Sequence, residues 1–272
     1  MRMHPIPALA MAVALACAPA PAPARADAQS AEGRSFVESF KTLDGARWLV
    51  SHGWSNGDYQ ACTFDSDNVA IGARGGLELK IAAVTGKPRP WSCAEVQSRQ
   101  IYGYGTYEVR LASARSPGVV TGFFTYTGPG QQPGRPHDEI DFEFLGKDTL
   151  RVQLNYFVGG DGSHGSLIDL GFDSAAVARN YAFEWRPDAL RWFIDGRMVR
   201  EVLVSPDRPL PTHSGKILLS LWIGEGAGMD SWLGRFSPPE KPLSARFEWV
   251  AFTRLGEPCQ FLQSLVCLRP RR

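Results

Sequence analysis

The ten residues from His137 to Gly146, HDEIDFEFLG, constrain this chain more than any others. Glu139, Asp141 and Glu143 alternate with Ile140, Phe142 and Phe144, and a β-strand sorts that pattern into one acidic and one apolar face. Like charges crowded on one strand face repel, and Asp and Glu are poor strand formers, so stability does not select such a segment. The pattern therefore marks a site. Paired carboxylates are what hydrolysis of a glycosidic bond requires: one stabilises or attacks the oxocarbenium-like centre, and the other protonates the leaving oxygen. On an ideal strand the Cα atoms of Glu139 and Glu143 stand roughly 13 Å apart, and a curved sheet lets the side chains close much of that gap. Retaining geometry needs carboxyl groups about 5–5.5 Å apart and inverting geometry about 6.5–9.5 Å, so spacing alone leaves both open.

The rest of the chain repeats the two-residue period. Short β-rich runs at Leu77–Val84, Thr106–Ala112, Val119–Thr127, Leu150–Val158, Lys216–Ile223 and Ala245–Thr253 are separated by Gly- and Pro-rich turns, and no segment sustains a long helical period. Such spacing signals an all-β sandwich or barrel. Trp192-Phe193-Ile194 and Met198-Val199 flank Asp195-Gly196, a signal for a two-residue type I′ hairpin. The stretch Gly128 to Pro136 reads as a loop leading into the acidic strand.

The first residues read as an export leader: Arg2, an apolar run from about Ile6 to Cys17, then Ala24-Arg25-Ala26. The run is too short to span a bilayer, which takes about 20 residues. Cleavage is expected after Ala26, with Ala28 as a second position, to give a secreted or periplasmic protein. It removes two arginines and no acid, leaving 27 basic and 28 acidic residues, a formal charge of −1. Near-neutrality argues against a nucleic-acid or anionic-membrane partner. The remaining residues suit one large domain, expected over 27–256, followed by a tail over 257–272.

Four cysteines outlast the leader, and an even number in an exported chain reads as disulfides with three connectivities. The expected pairs are Cys62 with Cys93, a staple between strands typically worth about 2–4 kcal/mol, and Cys259 with Cys267, a hook in the tail. No Cys-x-x-Cys spacing or nearby His cluster supports a metal site instead.

Several tryptophans sit beside glycine or polar residues: Trp54 in GWSNG, Trp222 before Ile223-Gly224, and Trp232 in DSWLG. Sugar rings present apolar C–H faces, so a polysaccharide cleft pairs aromatic platforms with amides and carboxylates. Trp185, Trp192 and Trp249 lie inside alternating strands and are expected in the core.

With these segments in order, the chain resembles glycoside hydrolase family 16, specifically its bacterial lichenase branch. The resemblance rests on Gly53-Trp54-Ser55-Asn56-Gly57, Cys93-Ala94-Glu95, Ile101 to Gly105, Phe123 to Pro129, Asp138 to Asp141, Glu143 to Asp148, Gln153 to Tyr156 and Asp230 to Gly234. It spans about residues 36–254. It implies a β-jelly-roll sandwich of two curved antiparallel sheets with the acidic strand on the floor of a concave cleft. It also implies a retaining mechanism with Glu139 as nucleophile, Glu143 as acid and then base, and Asp141 assisting between them. Matching positions suggest Asn56, Glu95, Tyr126, Asn155 and Trp222 as substrate contacts, with Phe124, Phe157 and Trp232 as cleft aromatics. The Cys62–Cys93 pair agrees with the family's.

Three departures from the family pattern matter. Gln97 stands where lichenases commonly carry an arginine that can grip sugar hydroxyls. His137 replaces a tryptophan; it reads either as a titrating cleft residue or as a loop histidine, and its neighbour Glu139 favours the cleft. Glu248 replaces an aspartate associated with a structural calcium, so no cofactor is expected, with calcium left as the alternative. These changes and the hooked tail also resemble exported glycanases that trim bacterial exopolysaccharides such as succinoglycan. The expected activity is endo-hydrolysis of β-1,3/1,4-linked glucan backbones by a monomer. A transglycosylase would use the same glutamates, whereas non-catalytic β-glucan binders typically lose one of them.

Overall fold

The computed structural model describes residues 32–240 and 242–268; the leader expected over 1–26 lies outside them. Its strands are β1 (Phe36–Glu38), β2 (Trp48–Val50), β3 (Cys62–Phe64), β4 (Val69–Ile71), β5 (Leu77–Ala83), β6 (Trp91–Ser98), β7 (Gly105–Ala112), β8 (Val119–Thr127), β9 (Asp138–Leu145), β10 (Arg151–Phe157), β11 (Ser166–Asp169), β12 (Arg179–Trp185), β13 (Ala189–Ile194), β14 (Arg197–Leu203), β15 (Lys216–Ile223) and β16 (Leu243–Arg254). Two short helices follow the later strands, α1 (Ala227–Leu233) and α2 (Leu265–Leu268). All six runs read as strands from the sequence are strands, with boundaries within two residues.

Hydrogen bonding builds two layers. One runs β11-β10-β9-β8-β15-β6 with β2 beside β6, and the other runs β4-β5-β16-β7-β12-β13-β14 with β1 beside β16. The ends of β5 and β6 pair at Ala82–Ser92 and Ala83–Trp91 and carry the sheet from one layer to the other. The pairings are antiparallel except that of β3 with β6. This is the all-β sandwich that the alternating runs signal and the jelly-roll that the family resemblance implies.

The layers hold together through aromatic residues on their facing sides. Phe123 of β8 meets Phe183 of β12 at 5.5 Å between ring centroids, and Phe142 of β9 meets Tyr181 at 5.6 Å. Ile140, Phe142 and Phe144 are all buried in this core. Each such side chain contributes about 1.5–3 kcal/mol, enough to hold β9 in the sheet against repulsion along its acidic face. At the far edge, Asp195 (φ 47°) and Gly196 (φ 80°) turn β13 into β14 with the two positive φ values that a type I′ hairpin needs.

Both expected disulfides are present. Cys62–Cys93 ties β3 to β6 where the two strands run in parallel. Cys259–Cys267 closes the tail, which docks on the layer away from β9: the buried Glu108 accepts from Ser264 Oγ at 2.6 Å and from Leu265 N at 2.7 Å. Trp185 and Trp192 are core residues, but Trp249 is not. A bulge between Phe247 and Trp249 slips the two-residue period, so Phe247 and Val250 point inward while the half-buried Trp249 packs against Phe261 of the tail.

Asp138, the first residue of β9, fixes that strand to its surroundings. Its buried carboxylate accepts from the backbone N–H groups of Gly159, Thr212 and His213 and contacts His213 Nδ1 at 2.8 Å. Burial alone would push its pKa up, but these bonds outweigh it and hold the carboxyl below its ordinary 3.8. The stability it contributes is present above the unfolded pKa and lost as pH falls through the lower folded one. Asp138→Ala should cost about 3 kcal/mol in urea unfolding at pH 7, because several buried donors lose their acceptor.

Candidate active site

Strand register assembles the site. The face of β9 turned away from the core carries Glu139, Asp141 and Glu143, and cross-strand pairing extends each into a row. Lys216, Tyr126, Glu139 and Phe157 form the first; Gln97, Leu218, Phe124, Asp141 and Asn155 the second; Glu95, Ser220, Gly122, Glu143 and Gln153 the third. Antiparallel partners share a face, so these residues line one surface. Over it lies a cleft of about 790 Å³, walled at one end by Trp54, Asn56, Tyr59 and Trp222 and at the other by Gln131 and His137. Gly122 keeps its floor open: a Cβ there would lie 2.7 Å from Ser220 Oγ and 3.2 Å from the Phe124 ring.

The three carboxyl groups occupy different surroundings. Glu139 Oε2 is 2.6 Å from His137 Nε2. Asp141 is buried, with Trp192 Nε1 donating to its backbone carbonyl from beneath and its own Oδ2 lacking a hydrogen-bond partner in the protein. Glu143 accepts from Gln153 Nε2 at 2.6 Å, and Gln153 Oε1 in turn accepts from Trp232 Nε1 at 3.0 Å. Burial, then the charges of Glu139 and Glu143, push the Asp141 pKa well up, and a hydrogen bond shared with Glu139 adds to the rise. Burial and the Glu139 charge raise Glu143 to about 8, against the opposing bond from Gln153. One strand face thus holds a carboxyl kept protonated near neutrality beside a carboxylate fixed by an imidazole. Such an arrangement can deliver a proton and a nucleophile to opposite sides of one bond.

A second polar cluster lies across the floor. Glu95, buried and raised to about 7 chiefly by desolvation, accepts from Ser51 Oγ at 2.7 Å and Gln97 Nε2 at 2.8 Å. Gln97 Oε1 accepts from Lys216 Nζ and Gln131 Nε2, both at 3.3 Å. Gln97 therefore binds Glu95 through an amide instead of a guanidinium, and the charge near it comes from Lys216.

Of the residues read from the sequence, Asn56, Glu95, Phe124, Tyr126, His137 and Trp222 share this cleft with the three carboxyl groups. Asn155, Phe157 and Trp232 lie beyond β9. Phe157 stacks on His137 at 4.6 Å, the Asn155 Oδ1 has no protein partner, and Trp232 borders a depression of about 180 Å³ beside Gln153 and Arg151. Sequence reading missed Tyr59, Gln131, Gln153, Lys216 and Ser220. Alternation gave a signal for Gln153 and Lys216, which stand at two-residue steps from Asn155 and Leu218. Tyr59 and Gln131 come from loops whose placement no period encodes.

Among the described residues no group of three or more His, Cys, Asp or Glu side chains could hold a metal ion. Glu248, at the position associated with calcium, lies 2.7 Å from Arg110 Nε and 3.7 Å from Arg246 Nη1, and Arg246 also donates to the Gly75 carbonyl. Two guanidinium groups already neutralise this carboxylate, a setting that does not fit a divalent cation.

Comparison with known proteins agrees with this geometry. The sequence profile described as Glycosyl hydrolases family 16 matches residues 56–249. The chain is 41% identical over 227 residues to a β-glucanase of Bacillus subtilis (strain 168), covering 84% of this chain and 89% of that protein. It is 40% identical over 234 residues to the endo-1,3-1,4-β-glycanase ExoK of Rhizobium meliloti (strain 1021), covering 86% and 84%. The solved Bacillus licheniformis β-glucanase superposes with a TM-score of 0.75 at 40% identity, over 82% of this chain and 99% of that one.

The raised carboxyl groups make the site costly at high pH. Glu143 keeps a proton in the folded chain up to about 8 that the unfolded chain releases near 4.5, so stability falls as pH rises across that window. Glu143→Gln should be more stable than the parent at pH 8, on the order of 2 kcal/mol after solvent screening, and closer to it at pH 4.5, by urea unfolding, and Asp141→Asn should shift in the same direction.

Proposed function

Since the chain belongs to glycosyl hydrolases family 16, we propose that it is a secreted, retaining endo-β-glucanase acting on β-1,3/1,4-linked glucan backbones. The observation that carries this reading is the unequal setting of Glu139 and Glu143 on one strand face above an open cleft. Glu143, raised to about 8, is the general acid: its proton passes to the glycosidic oxygen as the bond to the anomeric carbon breaks. The Glu139 carboxylate attacks that carbon and becomes a glycosyl ester. The charge of Glu139, second only to burial in raising Glu143, is then gone, so Glu143 stays a carboxylate after giving up its proton and can accept one from water. Hydroxide attack on the anomeric carbon expels Glu139 as a carboxylate and retains configuration. Asp141, protonated beside Glu139, donates to the nucleophile and limits repulsion within the triad.

Asn56, Glu95, Tyr126 and Trp222 are proposed to hold sugars on one side of the scissile bond, with Asn155, Phe157 and Trp232 on the other. Two relatives carry the names β-glucanase and endo-1,3-1,4-β-glycanase, which supports a mixed-linkage backbone as substrate. Gln97 lies in the binding cleft, and its difference from the lichenase pattern supports an exopolysaccharide such as succinoglycan as the native polymer. The leader and the two disulfides support export to an oxidising compartment. With Arg110 and Arg246 around Glu248, folding is proposed to need no calcium.

The purified mature protein should release new reducing ends from succinoglycan or mixed-linkage β-glucan, and Glu139→Gln should remove that activity by at least about a thousandfold while polymer binding persists. Transfer of product to an added oligosaccharide in preference to water would reassign the protein as a transglycosylase. Glu143→Ala should regain turnover with azide, which attacks the glycosyl ester without a general base; lack of rescue counts against the acid/base role. EDTA should leave the thermal midpoint in place, and a calcium-dependent rise would refute the metal-free proposal.

A further inference from the structure

We propose that His137 is the positioning residue of the nucleophile: its imidazole N–H holds one oxygen of Glu139 in place and leaves the second oxygen to attack. The proposal rests on the reading of Glu139 given above. Glu139 Oε2 and His137 Nε2 are 2.6 Å apart, and a carboxylate can only accept, so the proton of that bond sits on Nε2. The ring is immobilised. Phe157 stacks on it at 4.6 Å and 16°, and Tyr126 lies against it at 5.0 Å. These two aromatics are the register neighbours of Glu139 on β10 and β8, so the groups that clamp the imidazole also flank the nucleophile. The backbone is fixed as well: the His137 carbonyl accepts from Gly160 N at 2.9 Å, and the next residue, Asp138, is the one braced by Gly159, Thr212 and His213. The Nε2 proton belongs to Glu139 and two aromatic rings pack against the imidazole, so Nδ1 and the exposed part of the ring are what remain to meet a sugar.

The bond survives a change in charge. With Nε2 committed, the second proton of the imidazolium enters at Nδ1, so the ring can be neutral or cationic without releasing Glu139. Around that pair stand Asp141 and Glu143 on β9, Tyr126 on β8, Glu95 on β6, Lys216 on β15 and Tyr59 from the loop after β2; β10 presents only the uncharged Asn155 and Phe157. Acids outnumber cations, and a donor or positive charge next to a carboxylate favours its ionised form. The acidic limb of kcat/KM reports protonation of the free enzyme's essential base or nucleophile. Without His137, that limb should move to higher pH.

The test is the pH profile of His137→Ala and His137→Gln on whichever glucan the wild type hydrolyses. His137→Ala should lose about ten- to a hundredfold in kcat with little change in KM, as expected for a misplaced nucleophile, and shift the acidic limb up by about one pH unit. His137→Gln, a neutral donor of similar reach, should recover most of the rate but keep the shifted limb. Loss through KM alone with the limb in place would make His137 a sugar contact and overturn the proposal, as would an unchanged His137→Ala. An inactive wild type would defeat the functional reading instead. In that event the NMR signal of the His137 Nε2 proton decides: it should lie downfield, as a hydrogen-bonded imidazole N–H does, and move upfield in Glu139→Gln, and an unchanged signal refutes the pairing.

Discussion

The structure depends on one packing contact, the burial of Ile140, Phe142 and Phe144 beneath the acidic face of β9. Three carboxyl groups within five residues repel one another and would not hold a strand in place. Three large apolar side chains on the opposite face, locked against the aromatics of β8 and β12, supply more free energy than that repulsion removes. Everything else about the site follows from a strand that cannot move. Its register with β8 and β10 decides which side chains become neighbours of each acid, and Asp138 at its first position ties the entry to two loops.

On that fixed strand, small differences in surroundings divide chemically similar groups. Glu143 has an amide donor and a largely desolvated carboxyl; Glu139 has an imidazole; Asp141 has burial and two charged neighbours. Burial, together with the crowding that makes the segment a poor strand, keeps a carboxyl protonated near neutral pH, so instability and proposed function share a cause. The same logic governs the cleft floor, where Gln97 leaves Glu95 without a guanidinium and lets desolvation raise it to about 7. Glu248, by contrast, lies between two arginines, a setting that does not fit a divalent cation.

How much was legible in the sequence varied with the range of the interaction. Alternation located β5, β7, β8, β10, β15 and β16, and Asp195-Gly196 located a hairpin, because those signals are local and repeat every two residues. The same rule misassigned Trp249, since a bulge shifts the phase by one residue and no local pattern announces it. Gln153 and Lys216 were within reach of the rule but stood out by no unusual composition. Tyr59 and Gln131 were out of reach, because loops enter a cleft through contacts between distant parts of the chain.

By itself, the sequence determined the acidic face of β9, the all-β class and the family resemblance, all carried by residue types at short spacing, where backbone geometry leaves few choices. Only the tertiary structure decided which acid meets which partner: His137 on Glu139, Gln153 on Glu143, two arginines on Glu248. The cause is that desolvation and charge act through space over a few ångströms. The residues that set them come from β6, β8, β10, β15 and the loops, brought together by sheet register rather than by their order in the chain.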